Sequence, residues 1–436
     1  MITIYTPQIT ERIAFIMDVI FNGHLKIPYR LTDSTDELQQ AAMKISYAPQ
    51  PVAVENEIFI HQHPLLLETD IRHQKIDAGV FEAEPVFFQS SHPQSFLPFD
   101  IFALSFYLLT RYEEYLPHTK DKYGRFPATE SIACRQGFLQ KPLVDILVLK
   151  FVRKLQAVFP ALTYELGSPK YIATYDIDNA YAYLHKGFVR TAGGLAKQFL
   201  RFDWKEVTNR IAVLTGKKKD PYDTYHFFDF ISQKYNIDSY YFMLCAPKST
   251  YDRGLNPKNK HFQQLMHRLQ AKAKMGIHPS YASSSSPTRL TSEINILSAI
   301  LKEKVVNSRS HYLLLQFPQT YQQLIANGIK CDFTLGYAEL PGFRASTCKA
   351  FNFFDLSNNK CTSLKLYPFV YMEETFQNYM QLKPHESMER IELLISVVKK
   401  VKGTFISLWH NENFEKNGVD WKEVYEKSLD CFFTNA

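Results

Sequence analysis

Two aspartates one residue apart, Asp176 and Asp178, with Arg309 and three histidines, His278, His311 and His410, are the residues of this chain whose types and spacing suit hydrolytic chemistry. Acids at i and i+2 leave an extended chain on the same side, so both carboxylates can reach one site. One can bind a divalent cation while the other takes a proton from water. The alternative is an Asx turn that caps the next element. His278 precedes Pro279, which holds the residue before it extended and suits an imidazole presented from a strand end. Taken singly, it reads equally as a hydrogen-bonded framework histidine. Arg309 can orient the proton-accepting aspartate and keep it ionised, or form a structural ion pair. His410 follows the apolar run Ile406-Ser407-Leu408-Trp409 and can act as a general acid or sit as a core histidine.

These residues need elements that bring them together. Apolar and β-branched runs predict strands over 171–175, 239–244, 275–277, 305–312 and 404–409. Periodic apolar faces predict helices over 224–235, 259–274, 290–304, 319–326 and about 386–402. Alternation of this kind over more than 200 residues argues for an α/β fold with a parallel sheet, open or closed into a barrel. In such folds the site lies at the C-terminal strand ends, where the six residues fall. Leu166-Gly167-Ser168-Pro169-Lys170 marks a boundary, dividing the chain into 1–168 and 169–436.

Composition bounds the alternatives. At 45% hydrophobic and 22% charged, the 436 residues can build an ordinary core. A net charge of +6 is spread along the chain, and the short run Lys217, Lys218, Lys219 reads as a solvated loop, so no nucleic-acid partner is expected. No stretch reaches the roughly 18 apolar residues of a membrane span, and the first residues lack the pattern of a secretory signal. The six cysteines show no C-x-x-C spacing and read as reduced thiols, which together with the missing signal points to the cytoplasm. In the N-terminal part, residues 96–115 are apolar nearly all round and predict a buried helix. Arg111, Glu113 and Glu114 at its end read as an ion-pair cluster or a docking surface. No catalytic inventory is evident there.

Asp-x-Asp, then His278-Pro279-Ser280-Tyr281, then Arg309-Ser310-His311-Tyr312, then Leu408-Trp409-His410 resembles, in this order, the polysaccharide deacetylase family with a NodB-type catalytic domain. The words Leu97-Pro98-Phe99-Asp100, Gly124-Arg125-Phe126, Gly336-Tyr337 and Gly342-Phe343-Arg344-Ala345 are similar to those of the branch found in Bacteroidetes surface-polysaccharide gene clusters. The resemblance implies a distorted (β/α) barrel preceded by an N-terminal α+β accessory domain of unknown role. It implies Asp176 as catalytic base, Arg309 as the residue that poises it, His410 as general acid, and Asp178 and His278 as metal ligands. Tyr312, Arg344 and Trp409 would contact substrate, and the backbone N–H near Tyr312 would help hold the oxyanion. The family's usual second ligand histidine, four residues beyond His278, is here Ala282. His311 is the candidate third ligand, or else a substrate contact. The implied activity is metal-dependent removal of an acetyl group from an acetylated sugar or glycan precursor, with zinc the expected cation. The rival is a catalytically inactive relative that binds carbohydrate or scaffolds a biosynthetic complex.

Overall fold

In the computed structural model, which describes residues 1–416 and 419–434, the chain builds two parallel sheets in succession. The first comprises β1 (Ile2–Tyr5), β2 (Tyr29–Thr32), β3 (Lys44–Ala48) and β4 (Ile58–His61), in the order β2-β1-β3-β4. Every pairing in it is parallel. Helices Glu11–Met17 and Thr35–Gln40 supply crossovers that parallel neighbours require. This corrects the α+β expectation for the N-terminal part, whose antiparallel content is a small ribbon of β5 (Gly79–Phe81) and β6 (Glu84–Val86). The predicted apolar helix is present over Ile101–Leu109, with all nine residues buried. Each large apolar side chain withdrawn from water there contributes about 1.5–3 kcal/mol.

The second sheet contains β7 (Lys170–Ile177), β8 (Asp238–Met243), β9 (Lys274–Ile277), β10 (Asn307–Ser308), β11 (Cys331–Asp332), β12 (Phe351–Asp355), β13 (Lys360–Leu366), β14 (Tyr371–Met372) and β15 (Thr404–His410). Its order is β12-β13-β11-β10-β9-β8-β7-β15-β14, parallel except for the β12–β13 pair. Among the described residues no ladder joins the two edges, so the structure is an α/β fold with an open strand order. Residues 367–370 alone lead from β13, next to one edge, to β14 at the other.

Helices Tyr225–Tyr235, Lys260–Gln270, Pro287–Leu301, Gln319–Ala326 and Pro384–Lys400 lie within a few residues of their predicted bounds. The predicted strand 305–312 is shorter than expected. β10 ends at Ser308, and His311–Leu313 forms a short 3-10 turn in which Tyr312 and Leu313 take positive φ.

The two parts share one continuous hydrophobic core. They are also tied by a buried ion cluster. Arg111 pairs with Glu113 and Glu114 at 2.8 Å, and Arg344 reaches Glu114 at 2.6 Å. The 111–114 segment is therefore a structural ion cluster that docks one part on the other.

Candidate active site

Parallel register levels the strand ends. Along β15 and β7 the pairing runs from Thr404 opposite Lys170 to His410 opposite Asp176, so general acid and base candidates arrive on adjacent strands at the same height. Across the sheet, Asp176 lies opposite Phe242, Met243 opposite Ile277, and Ile277 opposite Ser308. His278 and Arg309 thus leave β9 and β10 at that level. Close approach of these strands needs Gly276, because a Cβ there would lie 2.6 Å from the Phe242 ring. That same ring lies 4.7 Å from the Arg309 guanidinium.

Arg309 is fully buried. It donates from Nη1 to Asp176 Oδ1 at 3.0 Å and to Thr174 Oγ1 at 2.7 Å, and from Nε to the Phe333 carbonyl at 2.9 Å. A guanidinium so held fixes the orientation of the Asp176 carboxylate.

Asp178, His278 and His311 converge. Asp178 Oδ1 lies 3.1 Å from His278 Nε2, and Asp178 Oδ2 lies 3.2 Å from His311 Nε2. One ligand atom from each residue falls within 4.8 Å of the other two. Ligand atoms about 2 Å from a tetrahedral zinc ion stand roughly 3.3 Å from one another, so the spacing suits a cation. The outer atoms support the same reading. His278 Nδ1–H donates to the Arg309 carbonyl at 2.6 Å, and His311 Nδ1–H donates to Asp252 Oδ1 at 2.9 Å. Both Nε2 lone pairs are left facing Asp178, with imidazoles held from behind as in metal sites generally. Among the described residues, the buried atoms without a hydrogen-bond partner include His278 Nε2 and Asp178 Oδ1. A cation between them would satisfy both.

The electrostatics agree. Burial pushes the Asp178 carboxyl up, but His311 and His278 outweigh it and hold the group well below the ordinary range. Burial lowers His311, yet Asp178 and Asp252 on either side raise it to about 10. Two carboxylates around one imidazole demand a positive charge, proton or metal. His410 is likewise raised well above its ordinary value, because Glu373 outweighs burial. Its Nδ1–H donates to Glu373 Oε1 at 2.7 Å, and its Nε2 lies 4.0 Å from Asp178.

Asp176, Asp178, His278, His311 and His410 line a cavity of about 450 Å³ together with Tyr312, Tyr379 and Glu412. The Glu412 carboxyl is pushed up to about 7 by burial and by Asp178. Lys122, Tyr123 and Arg125 also line it, so the N-terminal part, in which the sequence shows no catalytic inventory, contributes wall residues to the cavity. Arg125 Nη1 donates to the Tyr312 carbonyl at 3.1 Å and its Nη2 to the Tyr379 hydroxyl at 3.2 Å. The word Gly124-Arg125-Phe126 was the sequence signal for this wall. Asp252 and Glu373, which hold the two imidazoles, carried no such signal.

Two expected substrate contacts are corrected. Arg344 is 2% exposed and spends its guanidinium on Glu114 and the Gly336 carbonyl, so it belongs to the ion cluster between the two parts. Trp409 is 1% exposed; the alternation of β15 sends it to the face opposite His410, where it stacks on Phe414 at 4.8 Å. Neither lines the cavity. Ala282 lies on a short 3-10 turn beside Asp252, to which its N–H donates at 3.4 Å.

Comparison with known proteins adds the following. Residues 2–160 match DUF7033, a family of unknown function. No curated protein matches the chain. Among solved structures, the chain is similar to one from Mycobacterium smegmatis that bears the provisional name polysaccharide deacetylase, at 12% identity and TM-score 0.40, over 62% of this chain and 87% of that one. It is similar to PuuE allantoinase at 10% identity and TM-score 0.36, over 60% and 82%. A polysaccharide deacetylase from Bacillus cereus matches at 9% identity and TM-score 0.30, over 61% and 85%. No helix among the described residues is long and apolar enough to cross a membrane.

Proposed function

We propose that this chain is a metal-dependent hydrolase that removes an acetyl group from an acetylated sugar or glycan precursor, with the strands of 169–436 arranged as a distorted barrel. The observation that carries the reading is the convergence of Asp178, His278 and His311, with both histidine Nδ1 atoms already engaged from behind. One carboxylate and two imidazoles suit zinc, which when bound polarises the acetyl carbonyl and acidifies water.

The remaining groups divide the work. Asp176, oriented by Arg309 at 3.0 Å, takes the proton of the attacking water. The Tyr312 N–H holds the carbonyl oxygen as charge develops on it, and Arg125 holds the next peptide unit through the Tyr312 carbonyl. His410, kept protonated by Glu373, gives its Nε2 proton to the departing sugar nitrogen or oxygen. The C–N or C–O bond breaks and acetate is released. Tyr123, Tyr312 and Tyr379 supply aromatic faces at the cavity wall on which a sugar ring can rest.

Acetate release from a panel of N- and O-acetylated oligosaccharides, with zinc-loaded and metal-stripped protein, tests the proposal. Zinc-dependent acetate release that is lost in Asp176→Asn is expected. Glycan binding without any acetate release would replace it with a binding function.

A further inference from the structure

Between the end of β7 and helix Tyr225–Tyr235 the chain sends out a helical hairpin, Phe188–Leu200 and Trp204–Leu214. The first helix has no buried residue and the second has one, Val213. Apolar residues nevertheless recur at helical spacing, as Phe188, Leu195 and Phe199 on one helix and Trp204, Ile211 and Leu214 on the other, with Phe202 at the turn. Among the described residues, eight of the eighteen large apolar side chains that stand exposed are on this hairpin. So high a share on so short a segment marks an interaction surface.

Charge identifies what the surface meets. From His185 to Lys219 there are nine Lys and Arg against two acids, a net +7, whereas the whole chain carries +6. The remainder is therefore close to neutral, and the net positive excess lies in this stretch, which corrects the even spread expected from the sequence. Among the described residues none of the nine forms an ion pair. The two acids are already engaged: Asp203 caps its helix at the Glu206 N–H, and Glu206 accepts from Tyr183 and Gln198. Exposed aromatic rings interleaved with unpaired cations on short helices are the composition of an element that lies in a membrane interface.

We propose that the hairpin docks the protein on the surface of a bilayer containing anionic lipid. Phe199, Phe202 and Trp204 enter the boundary between headgroups and acyl chains, and the exposed side chains of Lys197, Arg201, Lys205 and Lys217 to Lys219 sit against lipid phosphates. The hairpin's base is anchored beside the cavity. Asp220 accepts the N–H groups of Ala182, Tyr183 and Leu184 at 2.7, 2.8 and 3.0 Å, and Arg190 donates to the carbonyls of Arg253 and Gly254. Because the hairpin leaves from the strand end that carries Asp178, docking brings the cavity to the membrane rather than away from it.

Co-sedimentation of the full chain with vesicles tests this independently of any enzymatic activity. One vesicle set contains phosphatidylglycerol and phosphatidylcholine in equal parts, the other phosphatidylcholine alone. Trp409 and Trp421 are buried and Trp204 is 51% exposed, so a blue shift of tryptophan emission reports insertion of the hairpin. Binding to the anionic set at low salt, with the blue shift and with release by salt, is expected. Lys217→Ala, Lys218→Ala and Lys219→Ala together should weaken it by about five-fold per charge. Phe199→Ser with Phe202→Ser should weaken it by about ten-fold or more, with retention of the fold checked by circular dichroism. Failure of the wild type to sediment with anionic vesicles overturns the proposal. So does wild-type binding by both variants, or concentration-dependent self-association that Phe199→Ser with Phe202→Ser abolishes and vesicles do not compete with.

Discussion

His311 Nδ1 lies 2.9 Å from Asp252 Oδ1, on the side of the ring away from Asp178. A carboxylate in that position selects the tautomer whose Nε2 lone pair faces the cation site and makes that nitrogen a better donor. Asp252→Asn should therefore weaken zinc affinity about 10- to 100-fold. Competition with a chromogenic chelator measures it, and unchanged affinity would remove His311 from the ligand set.

Arg309 ties the proposed base to the folded core. It is fully buried among Phe242, Phe333 and Phe369 and is the ion-pair partner of Asp176. Arg309→Ala leaves a buried carboxylate without its partner, which costs on the order of 3–5 kcal/mol. Urea unfolding of this variant should show that loss alongside the loss of turnover. An unfolding curve superimposable on the wild type would mean that the pair contributes nothing to the folded state.

Much of this was legible in the chain itself. Strand ends at Asp176, His278, Arg309 and His410 followed from apolar runs terminated by polar residues, and parallel register did the rest. His311 was legible as a candidate for a reason the structure does not support. A strand over 305–312 would put Arg309 and His311, at i and i+2, on one face, whereas the chain turns at 311–313 and His311 reaches Asp178 from a 3-10 turn. Asp252, in a loop, and Glu373, just after the two-residue β14, were invisible because neither stands at the end of a recognisable apolar run. Arg344 and Trp409 were misplaced for one reason: an Arg in a distinctive word and a Trp beside a catalytic His look like binding groups until burial is known.

Arg344 provides a contrast with the cavity residues. Its pairing with Glu114 is 2.6 Å long and buried on both sides. Arg344→Ala should destabilise the folded protein by about 3–5 kcal/mol. KM measured on the surviving folded protein should equal that of the wild type. A raised KM with unchanged stability would return Arg344 to the substrate.

In the proposed mechanism Glu373 sets the pH range of His410. The carboxylate stabilises the imidazolium and raises His410 well above its ordinary value, so the proton needed for the leaving group persists above neutrality. Glu373→Gln removes that stabilisation, and the basic limb of kcat/KM should move to lower pH. A basic limb that stays in place would assign the general acid to another group.

In the proposed site Asp178, His278 and His311 together hold one divalent cation despite Ala282. Calorimetric titration of zinc into metal-free protein tests it most directly. One equivalent should bind, with affinity rising as pH rises, because zinc must displace the proton that Asp178 and Asp252 hold on His311. His311→Ala should lose about ten-fold or more in affinity. No zinc binding, or binding that His311→Ala leaves untouched, would rule out a cation held by these three residues.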